Sequence, residues 1–98
     1  MFVILTSRPG QYRTELGPGL RHCETYDYLF CGQQKARFDI VRLLHDVKVR
    51  VVDETPPERV NDIPSKFLAK FPSLEAARAE LRSLVRLGSI DTTLRRVP

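Results

Sequence analysis

The stretch that most constrains the fold is residues 61–88, NDIPSKFLAKFPSLEAARAELRSLVRLG. Pro72 has no N–H to give and clashes with a preceding helical turn, so a helix must end before it or start after it. Ser73 can cap the free N–H groups of a new first turn, Glu75 suits the positive end of the helix dipole, and Gly88 stands where a C-terminal cap belongs. Between these limits Leu74, Ala77, Leu81, Leu84 and Val85 form one apolar stripe. The pattern predicts a main helix over 73–88. Ahead of it, Pro64 fits the first position of a short helical turn, SKFLAKF. Its aromatics Phe67 and Phe71 are expected to plug the bottom of a sheet; left exposed with Leu68, they would form a patch that seeks a partner.

The remaining elements follow from period and punctuation. Residues 2–6, FVILT, read as a buried strand stopped by Pro9-Gly10. Ser7 to Glu24 is broken by Pro9, Gly10, Gly17, Pro18 and Gly19, and reads as a loop of about 18 residues, the kind that is functional or mobile. Within it, 11–16 has the makings of an edge ribbon. Residues 25–31, TYDYLFC, read as a strand closed by Gly32. Residues 33–47, QQKARFDIVRLLHDV, fit two templates. A strand puts Ala36, Phe38 and Ile40 on one face; a helix aligns Ala36, Ile40, Leu43, Leu44 and Val47, with Lys35–Asp39 and Arg42–Asp46 as charge pairs. The helix matches more residues and is the expectation. Residues 47–53 alternate as a strand, and so do residues 90–97.

Each expected helix joins two strands by short connections, which favours parallel crossovers. The expected fold is α+β: a four-stranded mixed sheet in β-β-α-β-α-β order, its first strand antiparallel and its two main helices packed on one face. Residues 1–98 are expected to form a single domain. Hydrophobic content of 42% with 29% charged residues excludes a disordered composition. The longest apolar run, Phe2 to Leu5, is far below the roughly 18 residues of a membrane span. MFVILT lacks a basic n-region and reads as a strand rather than a signal peptide. A soluble, cytoplasmic protein without membrane contact is expected.

Cys23 and Cys31 form neither a CxxC pair nor a disulfide framework, so two reduced thiols are expected. His22, Cys23, Cys31 and His45 lack the short-spaced pairs of a zinc site. Cys31, just ahead of the expected first helix, would feel its dipole if it had redox chemistry. No glycine loop for phosphate, nucleophile motif or carboxylate pair stands out, so no cofactor, metal or catalytic residue is assigned.

Net charge is +4, and twelve of the sixteen basic residues are arginine. Arg78, Arg82 and Arg86, spaced i, i+4 and i+8, stack along one flank of the main helix and repel one another, a row that suits an acidic partner. Arg95 and Arg96 extend it. Residues 53–62 carry Asp53, Glu54, Glu58 and Asp62 against Arg59 alone. Arg8, Tyr12 and Arg13, residue types enriched at interface hot spots, lie on the long loop. Tyr26, Tyr28 and Phe30 alternate as core or as a base-stacking platform. The leading functional expectation is a small non-enzymatic protein-interaction module, an accessory or regulatory subunit that binds a partner or itself. The alternatives are nucleic-acid binding by the basic flank and a thiol-linked accessory role for Cys31.

Overall fold

The structure, a computed structural model, describes residues 1–86 and 91–98. In chain order its elements are β1 (Phe2–Ser7), β2 (Tyr12–Glu15), β3 (Leu20–Phe30), β4 (Gln33–Leu43), β5 (Lys48–Asp53), β6 (Val60–Pro64), a 3-10 turn (Ser65–Phe67), α1 (Leu74–Arg86) and β7 (Thr92–Val97). They build two antiparallel sheets, one in the order β1-β4-β3-β7 and one in the order β2-β5-β6. The expected mixed sheet under two main helices is therefore wrong: the chain is mostly β, with α1 as its one α-helix among the described residues.

The error lies in residues 33–47, which form β4 and a short connection instead of a helix. β4 is buried on both faces where Ile40 and Val41, both fully buried, stand side by side in sequence. Ile40 packs with Ala77 and Leu81 of α1, while Val41 packs with Val3, Leu5 and Val49 toward the second sheet. A strand that needs apolar residues on both faces loses its period of two. The resulting run imitates a helical stripe.

The parallel crossovers fail with the helix that was to make them. β3 and β4 are joined by a two-residue turn in which Cys31 (φ 50°) and Gly32 (φ 76°) both adopt left-handed backbone, the geometry of a tight hairpin. Turn and ladder together make β3–β4 a hairpin of 11-residue strands. Register shifts at Cys23 and at Lys35 leave each as an extra residue in the ladder. The expected loop over 7–24 is likewise mostly strand, with β2 inside it and β3 starting at Leu20.

Around α1 the expectation holds. Ser73 Oγ accepts from the Ala76 N–H at 3.0 Å, and Glu75 lies in the first turn. Ala77 and Leu81 are buried, but Leu84 is 42% exposed. The expected cap at Gly88 and strand start at Ile90 lie outside the described residues. No described helix is long and apolar enough to cross a membrane.

Candidate functional site: a groove along the edge of β1

The arginine flank is anchored to the body of the protein. On β3 the bulge at Cys23 turns Glu24 to the helix side, where its carboxylate is almost fully buried. Arg78 grips it with two nitrogens, Nε at 2.8 Å to Oε1 and Nη2 on Oε2. Arg96 of β7 adds a contact at 3.0 Å, and Tyr26 Oη donates to Oε1 at 2.9 Å. The Arg78 guanidinium outweighs the cost of burial and holds the Glu24 carboxyl down at about 2. Glu75 accepts from Arg78 at 3.1 Å and from Arg82 at 2.8 Å, and these cations hold its carboxyl below the usual range. So Arg78 tethers α1 to β3 through Glu24, which Arg96 joins to β7, and Arg82 shares Glu75 with Arg78. The Arg86 side chain lies outside the described residues.

A second buried acid sits on the other side of β3. Asp27 accepts from Arg37 Nε at 2.9 Å and from Gln34 Nε2 at 2.8 Å, with Arg95 at 3.6 Å. Beside it, Thr25 Oγ1 donates to Asp39 and lies 2.6 Å from His22 Nε2. Neither Glu24 nor Asp27 was picked out from the sequence. The available signal was a pair of acids three residues apart on one strand, in a chain rich in arginine.

The loop triad is divided by the fold. Arg8 and Tyr12 exchange two backbone hydrogen bonds (2.9 and 3.0 Å) across the turn between β1 and β2. Arg8 and Lys35 stand at the rim of a hollow of about 650 Å³. Arg13 is turned to a polar basin with Arg37, Asp39 and Glu54, and pairs with Glu15 at 3.5 Å. Tyr12 lines both of these hollows and a third.

That third hollow, of about 330 Å³, lies between β1 and the smaller sheet and is walled by Leu5, Val49, Val51 and Ile63. A fourth, of about 190 Å³, lies on the helix side against Phe38, Phe71 and Leu84. The two share Ile4, Thr6 and Leu68, and the hollow at Arg8 shares Thr6 with both. Together they form one groove that follows β1 and opens to solvent. Ser65 anchors the turn that leads to Leu68: 99% buried, it accepts from Val47 N–H through Oγ (3.0 Å) and donates its own N–H to Val47 O (2.8 Å). This anchor turns Leu68 into the groove and leaves Phe67 73% exposed, so Phe67 is no plug. Phe71 is half-buried against the core under α1, as expected.

The other candidates separate. Cys23 is half-buried in the middle of β3 and Cys31 is exposed at the hairpin tip, about 26 Å apart along an extended strand. Cys31 precedes β4 rather than a helix, so the dipole of the expected first helix is not there to act on it. No metal-ligating cluster occurs among the described residues. In the acidic loop, Glu54 accepts from Gly10 N–H at 3.1 Å and Asp62 lies 3.5 Å from Arg50. Comparison with protein-family models, curated proteins and solved structures finds no match.

Proposed function

We propose that this chain is a non-enzymatic protein-interaction module, an accessory or regulatory subunit acting in the cytoplasm. The observation that carries it is the open apolar groove along β1, whose walls include the exposed Leu84 and Ile63. Exposed apolar surface rimmed by charge is what an interface presents before its partner arrives. The ion pairs of Arg78 and Arg82 with Glu24 and Glu75 weigh against the nucleic-acid alternative, since cations already neutralised inside the protein release few counter-ions on binding phosphate.

The test is the size of the protein in gentle extracts of the cells that make it. The chain alone is 11.3 kDa. Elution in a heavier, stoichiometric complex, with a second protein or with itself, is the expected result. A monomer across the salt range would overturn the proposal.

A further inference from the structure

The backbone of β1 says what kind of partner the groove takes. In the ladder with β4, Leu43 N–H donates to Met1 O, and Phe2 stands opposite Arg42. Antiparallel pairing alternates, so Met1, Val3, Leu5 and Ser7 direct their N–H and C=O groups at β4. Phe2, Ile4, Thr6 and Arg8 direct theirs the other way. Phe2 exchanges two bonds of 2.8 Å with Phe71, Arg8 exchanges two with Tyr12, and Thr6 O accepts from Thr14 Oγ1. Between these closed points, the N–H and C=O of Ile4 and the N–H of Thr6 face the groove. They have no backbone partner among the described residues. A strand edge with its polar groups aimed into an apolar groove is a template for another strand.

We infer that the edge of β1 at Ile4–Thr6 receives a short extended segment of a partner protein, added as a strand. The inference rests on the interaction module proposed above and names its ligand. The chemistry of the segment follows from the walls. Successive side chains of an added strand point alternately to the two sides of β1. One side is walled by Leu5, Val49, Val51 and Ile63, the other by Phe38, Phe71 and Leu84. Both are apolar, so the segment is apolar at consecutive positions rather than alternate ones. Its flanks are basic, because the groove carries Asp53 on the first side and Glu80 on the second, and neither carboxylate has an ion-pair partner among the described residues.

The probe is a fluorescein-labelled pentapeptide, Lys-Val-Ile-Val-Lys with blocked ends, whose three apolar residues match the gap that Phe71 and Thr14 leave along β1. It is titrated against the full chain by anisotropy while amide exchange is followed by NMR. Binding is expected to slow exchange at the Ile4 and Thr6 amides and leave Val3 and Leu5 unchanged. N-methylating the central amides of the peptide removes the donors for Ile4 O and should weaken binding about tenfold. Replacing the two lysines of the peptide by glutamates should weaken it as well. Ile63→Lys, at a half-exposed position whose variant fold is checked by its thermal melt, should also weaken it about tenfold. Equal binding by the N-methylated peptide, or none up to about 1 mM, overturns strand addition. Ile4 protection that grows with protein concentration alone would assign the edge to a second copy and overturn the partner segment. A stoichiometric native complex that survives Ile63→Lys unchanged would overturn the groove while leaving the interaction module standing.

Discussion

Glu24 shows how one residue sets the energetics of a face. Its carboxyl sits at about 2, against an ordinary 4.5, chiefly because Arg78 binds the charged form. A lowered folded pKa adds stability that is complete above the unfolded value and is lost as pH falls toward the folded one. The window is therefore about pH 4.5 down to 2, and the shift corresponds to about 3 kcal/mol. Glu24→Gln should cost about 3 kcal/mol at pH 7, since it leaves Arg78 and Arg96 facing a neutral amide. It should also flatten the loss of stability between pH 4.5 and 2. Urea denaturation across that range checks both, and an unchanged acid limb in the variant would contradict the assignment. Sequence spacing found Arg78 through its neighbours on the helix, yet its chief partner lies 54 residues away on another strand. No local pattern records such a pair.

At the scale of elements, α1 was legible and β4 was not, for the same physical reason. α1 touches the core with one flank, so its cap, stripe and polar side separate cleanly in sequence. β4 touches two cores, so Ile40 and Val41 both had to be apolar and the alternation vanished. The turn added to the confusion, because Cys31-Gly32 takes the place of the Asn-Gly that usually announces a hairpin. Ile40→Ala should cost about 2–5 kcal/mol, the range for a large aliphatic lost from a full core. Phe67→Ala should fall within about 0.5 kcal/mol despite removing a larger ring, because Phe67 is mostly in solvent. Chemical denaturation of the two variants side by side would decide. Equal costs would mean that Phe67 is packed after all.

For the whole molecule, the important joint is the second passage from the first sheet to the second, between β4 and β5. Residues 44–47 make that passage across Gly19, whose carbonyl accepts from Leu44 N–H at 2.9 Å. Gly19 has φ +84°, and a Cβ there would run into Val47 Cγ1 and lie 2.8 Å from His45 Cε1. Gly19→Ala should therefore destabilise by about 1–3 kcal/mol, from left-handed backbone and crowding together. A denaturation midpoint equal to that of the native chain would show that the passage has room to shift. The sequence read Gly17-Pro18-Gly19 as loop punctuation only, because a close approach between segments 25 residues apart leaves no local trace. The groove was hidden likewise: its walls come from β1, the 3-10 region, α1 and the smaller sheet, and only Tyr12 and the exposed-aromatic alternative pointed toward it.

The hairpin tip also has a practical consequence. With Cys31 in solvent and Cys23 half-buried in the ladder, a maleimide dye or nitroxide should attach at Cys31 first, without mutagenesis. That would give a fixed reporter at the end of the longest strand pair, from which distances to a labelled partner can be measured.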